Sequence, residues 1–299
     1  MKAPRIVIVG SGGRLGTALH RIYSGVYEVA GFDRHALNLD SNAEIEHKLG
    51  AQSFDVLINC AALTNVDYCE DHGAEALQIN AHAVRAMAEI CAKKQARFIH
   101  FSTDYVFDGK AKKPYGEADV ARPLSIYGES KRIGEMQMLE VSEKNLVVRV
   151  SWVFGPDRPS FVDQIIKQAA GSEHVQAVCD KFATPTFTLD VAAHLNPFLQ
   201  EIKRGGILHL SNSGECSWQQ YGEFALECAA AAGLPLKTMA VGAQKMAELK
   251  AFIARRPVYT VLSTELLAKL TGHPPRSWQD AVEDYVFNYY ALQHKPRAV

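Results

Sequence analysis

Short apolar runs alternate with longer amphipathic stretches through the first half of the chain. The apolar runs lie at residues 5–9, 26–32, 55–59, 97–101 and 146–150. Helical patterns separate them, including a long one at residues 74–94 and one that begins after Pro123 and continues to about residue 143. Alternating strands and helices are typical of right-handed β-α-β units with parallel strands. The pattern therefore predicts an α/β fold with a doubly wound parallel sheet of the Rossmann type.

The regular alternation ends after Pro156. Helical patterns and short strands follow in irregular order, and residues 206–210 form the clearest strand among them. We expect residues 1–155 to form an NAD(P)-binding Rossmann domain. Residues 156–299 would form a smaller C-terminal substrate-binding lobe, with elements that return to the main sheet. The chain is expected to fray from about Gln293.

A glycine-rich turn joins the first strand to the first helix. The residues that we expect to bind a dinucleotide there are Gly10, Ser11, Gly13, Arg14, Leu15 and Gly16. Glycines at this spacing let the backbone turn tightly, approach a pyrophosphate and pack helix on strand. The helix N-terminus then faces the phosphates. A glycine-rich turn alone is often only a turn, so this prediction depends on a second site.

Asp33 and Arg34 end the second predicted strand. An acidic residue at this place holds the hydroxyls of the adenosine ribose, whereas an arginine beside it can bind a 2′-phosphate. Both are present, and Arg14 adds a positive charge near the phosphates. We favour NADPH over NADH, or use of both, although Arg34 could instead be a solvated surface charge.

The second site lies around the fourth strand and the helix after it. Thr103 follows that strand, and Tyr127 and Lys131 are four residues apart, on the same face of the helix. A lysine can lower the pKa of a nearby tyrosine, which then serves as a proton donor, and a hydroxyl can bind a carbonyl oxygen. This set suits hydride transfer to a carbonyl. Taken alone, the pair could equally be two surface side chains.

Composition excludes several classes of function. The 299 residues are 47% hydrophobic and 22% charged, and the net charge is -1. Such a balance, with scattered basic residues, gives no reason to expect nucleic acid as a partner. We also expect no membrane partner, because no apolar run has a spanning length. The six cysteines form no close pair, so we predict reduced thiols, a cytoplasmic protein and no metal site.

The assembled pattern resembles the extended short-chain dehydrogenase/reductases and, within them, the dTDP-4-dehydrorhamnose reductase family. The resemblance covers nearly the whole chain, and its most specific stretch runs from Ser102 to Gly109 as Ser-Thr-Asp-Tyr-Val-Phe-Asp-Gly. Further matching stretches are residues 10–16, 59–67, 123–131, 149–153, 184–186, 214–218, 256–257 and 278–280. The resemblance implies NAD(P)H-dependent reduction of the C4 carbonyl of a dTDP-linked 4-keto sugar, dTDP-4-dehydro-L-rhamnose.

The resemblance also implies roles for individual residues. Thr103, Tyr127 and Lys131 would be catalytic, and Thr103, Asp104 and Trp152 would contact the sugar. Beyond the glycine turn, the cofactor would touch Asp33, Asn38, Leu39, Ala62, Leu63, Thr64, Phe101, Tyr127 and Lys131. Alternatives remain for three of these places: Trp152 as a core indole, Asp104 as the cap of a turn, and residues 62–64 as simple packing.

The chain departs from the family pattern at two places. Asn38 stands where the family usually has an aspartate near the adenine, and its side chain can still accept a hydrogen bond. Some members join subunits through magnesium held partly by a glutamate shortly after the third glycine. Here Thr17 and Ala18 follow Gly16, so we expect no magnesium bridge, and the chain would be a monomer or a homodimer.

Two other functions share this pattern. The chain could reduce another nucleotide sugar or act as an epimerase with tightly held NAD. The fold also serves as a regulatory subunit of methionine adenosyltransferase, which is a binding role. The presence of Thr103, Tyr127 and Lys131 together favours an enzyme.

Overall fold

Twelve strands can be assigned in the computed structural model, which describes residues 3–249 and 251–294. They are β1 (Arg5–Val9), β2 (Glu28–Phe32), β3 (Val56–Asn59), β4 (Arg97–Thr103), β5 (Leu146–Val150), β6 (Val153–Phe154), β7 (Gln176–Val178), β8 (Phe182–Ala183), β9 (Thr186–Phe187), β10 (Gly206–His209), β11 (Cys216–Ser217) and β12 (Gly242–Gln244). Six of them form one parallel sheet in the order β10-β5-β4-β3-β1-β2. The predicted doubly wound sheet is confirmed.

Helices cover both faces of this sheet. They are α1 (Arg14–Tyr23), α2 (Asn42–Ala51), α3 (Val66–Asp71), α4 (Gly73–Leu77), α5 (Ala83–Lys94), α6 (Ile126–Val141), α7 (Phe161–Gly171), α8 (Thr188–Leu195), α9 (Pro197–Gln200), α10 (Trp218–Ala231), α11 (Glu265–Thr271), α12 (Trp278–Tyr285) and α13 (Ala291–His294). No helix within the described ranges is long and apolar enough to cross a membrane.

The two faces of the sheet follow from the alternation of side chains along each strand. On β1, Ile6 and Ile8 pack with α1 and α8, whereas Val7 and Val9 pack with α2 and α5. Both sets are fully buried, as expected for a parallel sheet covered by helices on both sides. This arrangement leaves the carboxyl ends of the strands as the open edge where a ligand can bind.

Two elements differ from the prediction in ways that matter for the site. Strand β4 continues two residues beyond Phe101, because Ser102 and Thr103 pair with Arg149 and Val150 of β5. The predicted helix at residues 74–94 contains a π-helical turn, Gln78–His82, between α4 and α5. Such turns are frequent at functional sites because they change the direction of the side chains that follow.

The second half of the chain contributes to two cores. Strand β10 joins the main sheet beside β5, and α8 packs on α1. Helices α7, α10 and α12 instead bury their apolar faces against one another in a separate cluster. A domain boundary at residue 155 stays a prediction. The expected fraying from Gln293 falls mostly on residues 295–299, which lie outside the described residues.

Candidate active site

A cavity of about 910 Å³ opens at the carboxyl ends of the parallel strands. Its wall contains nearly all the residues that the sequence singled out. These are Gly10, Gly13, Arg14, Leu15, Asp33, Arg34, Asn38, Leu39, Ala62, Leu63, Thr64, Phe101, Thr103, Asp104, Tyr127, Lys131 and Trp152. Ser11 and Gly16 were expected to touch the cofactor but do not line this cavity. The candidate sites for a dinucleotide and for catalysis thus share one cavity.

The glycine turn owes its shape to close backbone contacts. A side chain on Gly16 would place its Cβ atom 2.1 Å from the carbonyl oxygen of Gly10. Gly16 therefore packs helix on strand, and Ser11 is drawn toward β2, where its N–H donates to the carbonyl of Phe32. No side chain caps the N-terminus of α1 at Gly13. The first N–H groups of a helix attract anions, and Gly13 and Arg14 lie on the cavity wall.

Arg14, expected to contact the cofactor, lies on the cavity wall and also binds backbone carbonyls. Its guanidinium donates to the carbonyls of Val153, Arg158 and Pro159, and burial lowers the pKa of Arg14. Arg14 therefore fastens the segment after β6 to the glycine turn, and a contact with the phosphates stays a prediction. The exposed Arg158 reaches back from that segment, donates to the carbonyl of Gly12 at 2.8 Å and lines the cavity. No motif in the sequence pointed to Arg158.

The far end of the cavity contains the residues expected at the adenosine. One carboxylate oxygen of Asp33 accepts from the N–H groups of His35 and Ala36, and these two bonds lower the pKa of Asp33. Arg34 is exposed on the same wall. The Asn38 side chain accepts a hydrogen bond from the N–H of Asp40. The carboxylate predicted to bind the ribose and the guanidinium predicted to bind a 2′-phosphate are thus present together.

A close helix contact brings Tyr127 and Lys131 to the end of β4. Ser125 caps α6 by accepting a hydrogen bond from Gly128, and a Cβ atom on Gly128 would lie 2.3 Å from the carbonyl oxygen of Tyr105. Only glycine permits this approach. As a result Tyr127 and Lys131, 9% and 1% exposed, lie on the same cavity wall as Thr103.

The pKa values of this pair run against the simple expectation that Lys131 makes Tyr127 more acidic. In the protein by itself, burial raises the pKa of Tyr127, which interaction with the Thr103 hydroxyl partly offsets. Burial lowers the pKa of Lys131 to about 7. Both shifts favour the uncharged forms, because desolvation penalises charge. Tyr127 is thus held as a protonated phenol, the form that a proton donor needs.

A buried polar chain behind Lys131 was missed in the sequence. The Lys131 Nζ atom lies 3.0 Å from His100 Nε2 and donates to the carbonyl of Phe101 at 2.8 Å. On the other side, His100 Nδ1 lies 3.0 Å from the side-chain nitrogen of Asn59. His100 and Asn59 are fully buried in neighbouring strands. His100 is the one polar residue inside an otherwise apolar run, and that was its only signal.

Asn80, which lies within the π-helical turn, was also missed. It accepts from the N–H of Leu63, and its amide donates to the carbonyl of Leu63 and to the hydroxyl of Ser130. These bonds attach the loop after β3 to helix α6, next to Lys131. Leu63 and Thr64 thereby stay on the cavity wall, as predicted.

Asp104 is more deeply buried than a simple sugar-binding carboxylate. Its oxygens accept from the hydroxyls of Thr103 and Thr260, and burial raises its pKa. The fully buried Lys181 is an electrostatic partner of Asp104 and lies over the ring of Tyr105. Asp104 therefore orients Thr103 while forming part of the cavity wall.

Trp152 separates the main cavity from a neighbouring groove of about 450 Å³. Its φ of 38° lies in the left-handed region, which is unusual for a large residue. Its ring packs on Trp218 and Tyr221, and its indole N–H has no partner in the described structure. Four glutamines also line the groove: Gln164, Gln168, Gln176 and Gln244. The indole thus lines both the main cavity and the groove.

Comparisons with known proteins show the family of this chain. The family described as "RmlD substrate binding domain" matches residues 4–291. The dTDP-4-dehydrorhamnose reductase of Escherichia coli is 32% identical over 93% of this chain and 95% of its own. The Bacillus subtilis spore coat polysaccharide biosynthesis protein SpsK is 33% identical over 94% of this chain and 96% of its own.

Solved structures show the same likeness. A crystal structure of dTDP-4-dehydrorhamnose reductase from Bacillus anthracis in complex with NADP has a TM-score of 0.88 and 28% identity, covering 96% of this chain and all of that one. The fold and the cavity, together with these relatives, define a nicotinamide-dependent oxidoreductase with a Rossmann sheet. More narrowly, the chain belongs to the RmlD family of dTDP-4-dehydrorhamnose reductases.

Proposed function

We propose that this chain reduces the C4 carbonyl of dTDP-4-dehydro-L-rhamnose to give dTDP-L-rhamnose, with NADPH favoured over NADH. One observation carries the proposal: Thr103, Tyr127 and Lys131 share a single cavity with the glycine turn. A hydride donor and a carbonyl bound in one cavity would be held close together, and such positioning supplies a large part of the rate acceleration. The names of the relatives support the same substrate.

The cavity wall fits a dinucleotide. The uncapped N-terminus of α1 suits the pyrophosphate, and Arg158 offers a charge beside it. Asp33, Arg34, Asn38 and Leu39 would hold the adenosine end, and Ala62, Leu63, Thr64 and Phe101 would line the path toward Lys131. When bound, the reduced nicotinamide supplies the hydride. Ser11 and Gly16 would shape the turn without touching the cofactor.

The residues at the catalytic end of the cavity would transfer the proton. Tyr127 would protonate the oxygen that becomes negative as the carbonyl is reduced, since its raised pKa keeps the phenol protonated. Thr103, whose hydroxyl donates to Asp104 in this structure, would turn its proton toward the same oxygen when the sugar binds. Lys131 would stabilise the phenolate left behind and bind the ribose of the nicotinamide. Asp104 and Trp152 would contact the sugar.

The neighbouring groove supports a substrate larger than a free sugar. It shares Trp152 and Val153 with the main cavity, and its aromatic floor and glutamine amides suit a nucleotide. A dTDP-linked sugar would therefore extend from the catalytic residues past Trp152.

The six cysteines are all free thiols, which supports a protein that acts in the cytoplasm. Whether the chain acts as a monomer or a homodimer stays a prediction.

The proposal is tested by incubating the protein with dTDP-4-dehydro-L-rhamnose and either NADPH or NADH, and following oxidation of the cofactor together with the sugar product. We expect oxidation that requires the sugar and yields dTDP-L-rhamnose. Interconversion of sugars with no net cofactor consumption would indicate an epimerase instead. Binding of the cofactor with no reaction, and co-purification with a methionine adenosyltransferase catalytic subunit, would indicate the regulatory role.

A further inference from the structure

The chain Asn59–His100–Lys131 has only one consistent placement of its protons. The Asn59 side-chain oxygen accepts a hydrogen bond from the N–H of Ala61 at 2.9 Å, so the amide cannot be turned around. The Asn59 side-chain nitrogen must therefore donate to Nδ1 of His100, 3.0 Å away. Nδ1 is then the acceptor nitrogen of the imidazole.

The second step concerns His100 itself. It is fully buried, and burial lowers the pKa of His100 well below its usual value. A neutral imidazole has one donor and one acceptor nitrogen. Because Nδ1 accepts, the proton lies on Nε2. The Nε2–H group faces the Lys131 Nζ atom at 3.0 Å.

The third step concerns Lys131. An ammonium has three donors and no acceptor. An N–H group of a charged Lys131 would therefore face the Nε2–H group of His100, and two donors cannot form a hydrogen bond. An uncharged amine can accept from His100 through its lone pair and still donate to the carbonyl of Phe101 at 2.8 Å. The uncharged amine of Lys131 therefore forms hydrogen bonds with both His100 and the carbonyl of Phe101. The ammonium forms only the bond to the carbonyl.

We propose that His100, with its tautomer fixed by Asn59, is a positioning residue that favours the uncharged amine of Lys131, so that a large share of Lys131 is uncharged at neutral pH before the site binds its ligands. Lys131 then becomes charged by taking one proton from solution, when new acceptors and the charge of a phenolate at Tyr127 favour the ammonium. The inference rests on the proposed roles of Tyr127 and Lys131. It adds that the charge of Lys131 changes when the site binds its ligands.

Other groups near Lys131 favour its charged form. Glu135 and Cys60 would each raise the pKa of Lys131, and burial outweighs both and lowers it to about 7. Glu135 is already engaged by Arg149 through two hydrogen bonds of 2.9 and 2.7 Å. Tyr127 lies one turn earlier on the same helix. His100 is thus the group that contacts the Nζ atom and opposes its charge.

The direct test is the titration of Lys131 by NMR in the full chain, labelled with lysine carrying ¹³C at the ε carbon. The signal is assigned by its absence from the Lys131→Met variant. In the wild type we expect a midpoint near 7, against about 10.4 for an ordinary lysine. In His100→Gln, whose amide oxygen can accept from an ammonium, the midpoint should rise by about one pH unit.

A matched control is His209→Gln, because His209 is also fully buried but contacts Arg149 and Tyr115 instead of Lys131. It should leave the Lys131 midpoint unchanged. An ordinary midpoint in the wild type, or equal midpoints in the wild type and His100→Gln, would overturn the proposal. Neither measurement uses cofactor or turnover, so this failure is distinguishable from failure of the reductase assignment.

A measurement on the wild type covers the case in which His100→Gln does not fold. Nitrogen-15 NMR of labelled histidines distinguishes the two tautomers and the cation. We expect a His100 signal with the proton on Nε2 and no titration through neutral pH. A proton on Nδ1, or a cationic ring, would overturn the proposal.

Discussion

Arg158 and Gly12 are joined by a hydrogen bond of 2.8 Å from the guanidinium Nη2 atom to the glycine carbonyl. The two residues are far apart in the chain, and the contact lies where the glycine turn meets the open cavity. Arg14 makes the reciprocal contact, because its half-buried guanidinium binds the backbone around Arg158. Both arginines line the cavity, and we expect the exposed Arg158 to meet a phosphate of the cofactor.

Replacing Arg158 with glutamine should weaken cofactor binding. A charge-assisted hydrogen bond contributes about 1.5–3 kcal/mol, so the KM for NADPH should rise roughly 10- to 100-fold while kcat changes little. Steady-state kinetics at varied NADPH concentration measures both values. Arg21→Gln is the matched control, because Arg21 binds the same segment through Asp157 but does not line the cavity. An unchanged KM in Arg158→Gln would remove Arg158 from the cofactor site.

Gly16 and Gly50 offer a matched pair of glycine-to-alanine substitutions in helices. The Cβ atom of Gly16→Ala would meet the Gly10 carbonyl, so the turn must shift, and we expect a loss of about 1–3 kcal/mol together with weaker NADPH binding. At the exposed Gly50 no atom lies within 4 Å of the new Cβ atom, and alanine should stabilise α2 by about 0.5–1 kcal/mol. Urea unfolding of both variants tests the contrast, and equal effects would contradict it.

The ion pair between Asp67 and Arg256 predicts a stability change in acid. Hydrogen bonding to Arg256 lowers the pKa of Asp67 to about 2, against an ordinary value of about 3.9 in the unfolded chain. A lowered carboxyl pKa stabilises the fold above pH 4, and this contribution is lost as the pH falls from about 4 to about 2. The difference in free energy of unfolding between wild type and Asp67→Asn should therefore shrink over that interval.

Urea midpoints measured by tryptophan fluorescence between pH 5 and pH 2 provide this comparison. Asp40→Asn is a control for the loss of one negative charge, since residue 40 is exposed. Its difference from wild type should vary less with pH. A difference for Asp67→Asn that stays constant from pH 5 to pH 2 would show that the ion pair does not account for the acid dependence.

Local patterns were enough to predict the sheet, the glycine turn and the catalytic helix. Hydrophobic periodicity places strands and helices, and Tyr127 and Lys131 share a helix face by spacing alone. The cap of α2 is equally local, because the Ser41 side chain accepts the N–H of Glu44. These features depend on residues that are near one another in sequence.

The misses all depend on contacts between distant parts of the chain. The residue type of Arg14 indicated a phosphate ligand, but its hydrogen bonds to carbonyls at residues 153–159 could not be foreseen. The role of Asn80 arises only where the loop after β3 meets α6. His100 was counted with an apolar strand, and its function follows from neighbours on β3 and α6. Periodicity carries no information on such partners.

The most direct test of the proposed function compares the wild type with Tyr127→Phe in the same assay of NADPH oxidation with dTDP-4-dehydro-L-rhamnose. Removing the phenolic hydroxyl removes the proton donor, while the buried ring and its packing on Tyr105 remain. Turnover should fall by about 10²- to 10⁴-fold with little change in NADPH binding. Near-normal turnover by Tyr127→Phe would contradict the assignment of Tyr127 as the proton donor, and with it the mechanism proposed for this cavity.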